Sequence, residues 1–434
     1  MNTSQPIYFL YSLQHFGIKL GLKNISSLLE FFGNPHKKFS SIHIAGTNGK
    51  GSTSALLASS LISSGYKTGL YTSPHILSVN ERISINGFSI PEHRLNDLVN
   101  VSKKEILKLR ATFFETLTAI AFQYFSEEKI DIAVVETGLG GRFDATNVIV
   151  PILSIITNIS LEHTEVLGQS IEQIAFEKAG IIKKDIPCIS SVEQKSAKKV
   201  IKEIAKRNNS PLFFSSDFVT TKLKNVGISS NVYQVEMKNK MFESLNVHLG
   251  GYFQEKNIST SLLSVQTINN FSKKLLPRFY ISKKNIYEGW KNIHSITHFQ
   301  GRLDVLCRQP LVVCDVAHNP DAISNLVDSV KFLFPKRGVI VFGLMRDKNL
   351  INVLYQLRRL NVKVIAVQPK TERASPSIEI VRECHRIGIQ SINGKSVANG
   401  ITIAKKEIGL NDYMLICGSF FVVSEAMYFF NKNI

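Results

Sequence analysis

The stretch SIHIAGTNGKGSTSALLASSLISS, residues 41–64, decides the architecture. Its opening residues 41–45 are an apolar run of strand length, and residues 52–64 continue as small and apolar residues suited to a helix. Between them lies a glycine-rich turn, Gly46-Thr47-Asn48-Gly49-Lys50-Gly51-Ser52-Thr53. Strand, turn and helix in that order aim backbone N–H groups at an anion. Gly49 and Gly51 let the main chain approach phosphate oxygens closely. Lys50 adds a point charge for the β- and γ-phosphates, and Ser52 or Thr53 a hydroxyl. The spacing departs from the usual phosphate loop, because Ile44 takes the first glycine's place and Gly51 intervenes before the hydroxyl. The expected ligand is a nucleotide phosphate.

Working outward, residues 130–135 (IDIAVV) and 152–157 (ILSIIT) read as further buried strands. Residues 171–179 carry apolar side chains at helical spacing and end at Gly180, a plausible cap. From 212 to 248 the pattern alternates, which predicts an antiparallel β extension, and a helix resumes over 258–268. A break falls at 294–301 (HSITHFQG), after which strand and helix alternate afresh through LVVCD, GVIVFG, VKVIAV and YMLICGS. The expected class is α/β, with a mostly parallel sheet in a domain over 1–295 and a smaller α/β domain over 300–434.

Composition narrows the setting more than the chemistry. The chain has 434 residues, 44% hydrophobic and 20% charged, as in a soluble globular protein. Five scattered cysteines form no CxxC pair, which suits a reducing compartment. The first residues lack a basic leader before an apolar run, and no apolar stretch reaches bilayer-spanning length, so a cytoplasmic protein without membrane contact is expected. The net charge of +18 fits attraction of ATP or a polyanionic acid, but also a general abundance of lysine. No nucleic-acid signature accompanies it, and the charge alone does not decide function.

Chemistry in a parallel sheet gathers beyond the carboxyl ends of its strands. Glu136 ends IDIAVVE, His163 follows the strand ILSIIT, and Ser73 follows the apolar run ending at Tyr71. A carboxylate, a hydroxyl and a neutral imidazole around a phosphate loop could hold Mg²⁺, although histidine is not the donor its hardness favours. Lys178, near the end of its helix, reads by default as a solvated lysine.

The motifs IHIAGTNGKGSTSA, TSPHILSVNERISING, TFFETLTAIAFQYF, VVETGLGGRFDATNV, LEHTEVLGQSIEQIAFEKAGIIK, GGYFQEKN, QGRLDV, CDVAHNP and ICGSF occur in that order. Together they resemble the folylpolyglutamate synthase/dihydrofolate synthase branch of the Mur ligases over nearly the whole chain. The resemblance implies a P-loop, Mur-ligase-like ATPase domain and a Rossmann-like carboxyl-terminal domain. It implies ATP-dependent ligation of L-glutamate to dihydropteroate, or to the γ-carboxylate of a reduced folate glutamate, through an acyl phosphate. It assigns the ATP phosphates to Gly49, Lys50, Gly51 and Ser52, the adenine to Asn257, and further nucleotide contacts to Arg302 and Asp315. It assigns Mg²⁺, two ions in all, to Ser73, Glu136, His163 and a carbamylated Lys178. Lys50, Lys178, His163 and Arg302 are the implied catalytic set. Thr112, Phe113, Phe114 and Glu115, with Phe143, Asp144 and Ala145, match contacts to dihydropteroate, although Phe143 stands where leucine is more usual. Phe113 and Phe114 suit the core equally well. His318 shares the AHN motif without an assigned role. The partners expected are thus ATP, a pterin or folate acid and glutamate, with a monomeric protein and no nucleic acid. Closure of one domain on the other is expected to assemble the site.

Three alternatives stand beside this reading. One is a folylpolyglutamate synthase without the dihydropteroate activity, against which the matches at residues 112–115 and 143–145 favour a bifunctional enzyme. A peptidoglycan-type Mur ligase would need a separate amino-terminal domain, for which the roughly 40 residues before the phosphate loop are too few. A P-loop protein that binds nucleic acid would leave Glu136, His163 and Lys178 without a purpose.

Overall fold

In this computed structural model, residues 5–17, 19, 21–238, 240–275, 279–334 and 337–431 are described. By its contacts the chain divides into two compact units. The first holds residues 1–221, 235–242 and 256–299, and the second holds 222–234, 243–255 and 300–434. The second unit thus also takes two short segments ahead of residue 300, where the sequence pattern placed one boundary.

The first unit is built on an eight-stranded sheet of order β4-β3-β2-β5-β1-β6-β7-β8. Its strands are β1 (Ser40–Ala45), β2 (Thr68–Tyr71), β3 (Ile83–Ile85), β4 (Phe88–Ser89), β5 (Ile132–Glu136), β6 (Leu153–Ile156), β7 (Cys188–Ser190) and β8 (Leu212–Phe214). All pair in parallel except the β2–β3 and β3–β4 junctions, which are antiparallel. The inner strands are buried along their length except at Ser40, the first residue of β1, which explains their continuous apolar runs. Residues 212–214 join this sheet in parallel beside β7, not as part of an antiparallel extension. A short Leu-Phe-Phe run carries no directional information, and it stands apart from the alternation farther along. That alternation belongs to a separate three-stranded sheet of β9 (Thr220–Val226), β10 (Asn231–Met237) and β11 (Lys240–Val247), ordered β11-β10-β9.

Strand register positions the chemistry. β1 lies between β5 and β6, with Ile44 beside Glu136 and Ala45 beside Ile156. The turn after β1 therefore emerges between the carboxyl ends of those neighbours. The helix that follows, Lys50–Ser63, is buried from Gly51 to Leu61 on all sides, so it lacks an amphipathic pattern. Helix Lys283–Lys291 locks it in place. Gly289 lies against the main chain of Ser59, and the fully buried Trp290 donates its indole N–H toward Leu56 O (3.0 Å) and Ser60 Oγ (2.8 Å). An indole buried with its N–H satisfied contributes packing without a desolvation penalty.

The second unit carries a six-stranded sheet of order β12-β13-β17-β14-β15-β16. Its strands are β12 (Asp304–Arg308), β13 (Leu311–Asp315), β14 (Gly338–Phe342), β15 (Lys363–Val367), β16 (Ser391–Lys395) and β17 (Tyr413–Cys417). Only β12 is antiparallel to its neighbour. β13, β14, β15 and β17 are the four strands the apolar runs predict. β12 and β16 are half exposed, and their polar residues conceal them in the sequence.

Candidate active site

The site grows from the turn at the end of β1. Gly49 caps the helix with φ 86°, in the left-handed region glycine adopts without strain. Any Cβ there would run into the Asn257 side-chain oxygen, so Asn257 stands against the turn itself. The residues after β6 brace the turn from the other side. Thr47 N donates to Asn158 O (2.9 Å), Asn48 N to Asn158 Oδ1 (2.6 Å), and Thr157 Oγ1 to Asn48 O (2.7 Å). Thr157 and Asn158 escaped the motif reading, yet polar residues directly after an apolar strand were the available signal.

Three charged groups converge on this turn. Lys50 Nζ donates to Gly46 O (3.0 Å) and Thr47 O (3.2 Å) and lies 3.9 Å from Glu136 Oε1. Glu136 is only 4% exposed, and its Oε2 accepts from Ser73 N at 3.4 Å. Lys178 is not the solvated lysine its position suggested. It is 4% exposed and donates from Nζ to Gly46 O (2.9 Å). Burial, reinforced by the Lys50 charge, pushes its pKa down to about 7 despite the opposing pull of Glu162 and Asp144. The helix carrying it, Ile171–Ala179, begins with a reciprocal capping box between Ser170 and Gln173. Its end is held by Arg142 N, which donates to Glu177 O (2.7 Å).

His163 opens a short helical turn, Thr164–Leu167, with φ 51°, and its Nε2 lies 3.9 Å from Glu162 Oε1. Among the described residues no three His, Cys, Asp or Glu side chains gather as a metal site. The donors are instead one buried carboxylate and the Ser73 loop beside a phosphate turn. Such a set suits Mg²⁺, which takes few protein ligands and completes its shell with water and phosphate oxygens. It would not suit a metal needing a closed protein cage.

The two segments matched to the pterin acid play visible structural parts. Thr112 and Glu115 cap helix Phe113–Glu127 reciprocally, with Glu115 N reaching Thr112 Oγ1 (3.2 Å) and Thr112 N reaching Glu115 Oε2 (2.8 Å). Phe113 is buried and stacks on Tyr11 at 5.8 Å, while Phe114 covers Gly138, where a Cβ would lie 2.5 Å from its ring. Asp144 is buried as well and accepts from Leu139 N (2.8 Å), Thr146 N (3.0 Å) and Thr146 Oγ1 (2.5 Å), so it shapes the loop over residues 138–146. Burial raises its pKa against those hydrogen bonds. Ala145 is buried beside it, and Phe143, 37% exposed, stacks under the Arg142 guanidinium at 4.2 Å. Of the seven residues, Phe143 presents the most surface to a ligand.

In the second unit Arg302 Nη1 donates to Gly301 O (2.9 Å). Asp315 is buried and accepts from Leu303 N (3.1 Å) and Ala317 N (2.8 Å). Burial raises its pKa, and the Arg302 charge opposes the rise. His318 Nδ1 meets Val316 O at 2.8 Å, and its ring lies 6.0 Å from that of Phe420.

Comparison with known proteins places these features in a family. Residues 44–265 match the Mur ligase middle domain and residues 301–420 the "Mur ligase, glutamate ligase domain". The chain is 33% identical to the dihydrofolate synthase/folylpolyglutamate synthase of Bacillus subtilis, over 94% of this chain and 95% of that one. It is 33% identical to the folylpolyglutamate synthase of Lacticaseibacillus casei, over 87% and 88%. Among solved structures, E. coli FolC in complex with DHPP and ADP superposes with a TM-score of 0.86 at 26% identity, covering 99% of each chain. Mycobacterium tuberculosis folylpolyglutamate synthase complexed with ADP gives 0.87 at 26% identity, covering 98% and 99%. This chain belongs to the Mur ligase superfamily, in its dihydrofolate synthase/folylpolyglutamate synthase family of ATP-dependent ligases.

Proposed function

We propose that the protein joins L-glutamate to dihydropteroate, and to the γ-carboxylate of folate glutamates, by way of an acyl phosphate made with ATP. The observation that carries this reading is the convergence of Lys50, Glu136, the Ser73 loop and Lys178 on one glycine-rich turn. A carboxylate is unreactive toward amines because its oxyanion leaves poorly. Attack of that carboxylate on the γ-phosphorus of ATP expels ADP and leaves an acyl phosphate. The glutamate amine, having lost its proton, then attacks the acyl carbon, and collapse releases phosphate and the amide. Phosphoryl transfer of this kind depends on positioning and charge neutralisation. The turn's N–H groups and Lys50 supply both, with Gly51 and Ser52 opening the helix toward the phosphates.

Glu136, Ser73 and His163 are the residues we assign to Mg²⁺, which when bound neutralises phosphate charge. Lys178 is assigned a carbamate. With a pKa near 7 much of it is neutral amine at neutral pH, able to add to CO₂ with loss of one proton. The resulting carboxylate would provide a further hard donor and a second Mg²⁺ position. Asn257, Arg302 and Asp315 are assigned nucleotide contacts, and Phe143 a contact to the pterin acid. A monomer working in the cytoplasm fits this chemistry; among the described residues no helix is long and apolar enough to cross a membrane.

The test is phosphate release with Mg²⁺, ATP and glutamate, measured separately with dihydropteroate and with a reduced folate monoglutamate. Release with both acids is expected. Release with the folate alone would restrict the protein to polyglutamylation, and release with neither would overturn the reading.

A further inference from the structure

Beside this site lies a buried cation that the mechanism above does not use. Arg82 ends the turn Val79–Arg82 and leads into β3, which pairs antiparallel with β2 so that Ile83 sits beside Tyr71. Thr72 N donates to Arg82 O (3.0 Å), and Tyr71 is itself beside Val135 of β5. Topology therefore puts Arg82 at the carboxyl ends of β2 and β5, the end that carries Ser73 and Glu136.

The side chain is 9% exposed. Its Nε donates to His75 Nδ1 (2.9 Å), His75 Nε2 meets Tyr11 OH (3.3 Å), and the guanidinium lies over the Phe113 ring at 5.2 Å. An imidazole that accepts at Nδ1 is neutral, so His75 offers no countercharge. Among the described residues the hydrogen bond from Nε is the guanidinium's one side-chain hydrogen bond, and the carboxylates whose charge reaches it are Glu136 and Glu81. The nearest carboxylate in sequence, Glu81, is committed to the N–H groups of Ile76, Leu77 and Ser78. The four N–H donors of the terminal amino groups are thus left to solvent or to a ligand, and the desolvation of this largely buried cation favours an anion beside it. A guanidinium fork held flat on an aromatic ring matches the two oxygens of a carboxylate.

We infer that Arg82, roofed by Phe113 and braced by His75, binds the carboxylate of the pterin or folate acid and holds it for phosphorylation. Its place at the strand ends that carry Ser73 and Glu136, with the Glu136 charge acting on it, points to the reacting carboxylate and not to the incoming glutamate. The role rests on the folate-ligase reading.

The test compares dihydropteroate with its carboxamide, which has the same shape without the charge. Binding of each is followed by pterin fluorescence in the wild type, Arg82→Gln and Arg82→Lys. The wild type is expected to prefer the acid by roughly 10- to 100-fold, the range of a charge-assisted contact. Arg82→Gln should lose that preference while ATP binding and the KM for glutamate hold, and Arg82→Lys should keep part of it. If Arg82→Gln shows no native unfolding transition, Arg82→Lys carries the comparison, and a wild-type preference in it overturns the assignment because a lone ammonium cannot reproduce the fork. Equal preference in wild type and Arg82→Gln, or a change confined to the KM for glutamate, overturns it too. Failure of the wild type to bind the acid at all would sink the folate reading along with it.

Discussion

Lys178→Met separates the cost of burying an ammonium from the benefit of its chemistry. A fall in pKa from 10.5 to about 7 corresponds to about 5 kcal/mol of disfavoured charge. The folded-state value is depressed, so between about pH 7 and 10.5 the unfolded chain binds more protons than the folded one, and wild-type stability rises with pH across that window. The penalty is complete below about 7 and absent above 10.5; it amounts to about 5 kcal/mol at pH 6 and about 1 kcal/mol at pH 10. Methionine has similar bulk and no charge, but forfeits the hydrogen bond to Gly46 O, worth roughly 1.5–3 kcal/mol from a charged donor. Desolvation therefore wins at low pH. In CO₂-free buffer Lys178→Met should be more stable than wild type by about 2–3 kcal/mol at pH 6 and no more stable at pH 10. Urea midpoints and slopes at the two pH values measure it. The same variant should be inactive as a ligase. An equal stability difference at both pH values would refute the buried-ammonium argument.

Other substitutions probe the neighbouring parts. Glu136→Ala, which removes the carboxylate between Lys50 and Ser73, should lower phosphate release with either acid by at least about 100-fold, and substantial residual turnover would remove its metal role. Gly49→Ala forces a side chain into φ 86° against Asn257, a strain of about 1–2 kcal/mol before the clash is counted, so nucleotide titration should show weakened ATP binding. Trp290→Ala empties the fully buried pocket behind helix Lys50–Ser63 and should cost about 3–5 kcal/mol in urea unfolding.

Much of the first unit was legible because buried parallel strands are written as unbroken apolar runs, and the chemistry sits where those runs end. Glu136 and the phosphate turn were found that way, and register alone brings them together. What was hidden depended on the third dimension. Lys178 reads as solvated because helix position says nothing of the main-chain oxygen it meets in the turn after β1. The direction of β8 was lost because three apolar residues read alike in either pairing. Thr112, Glu115 and Asp144 spend their polar groups on capping and loop hydrogen bonds, a structural duty that motif matching does not distinguish from ligand contact. Arg82 lies within the motif TSPHILSVNERISING, but its burial is not written there, because an arginine in a turn is ordinarily exposed.

The central claim is that a carboxyl group is activated by phosphorylation before the amide forms. Dihydropteroate labelled with ¹⁸O in its carboxylate, incubated with Mg²⁺, ATP and glutamate, examines it directly. An acyl phosphate requires one labelled oxygen to leave with each phosphate released, so the product phosphate should carry ¹⁸O. Amide formed alongside unlabelled phosphate would contradict the account.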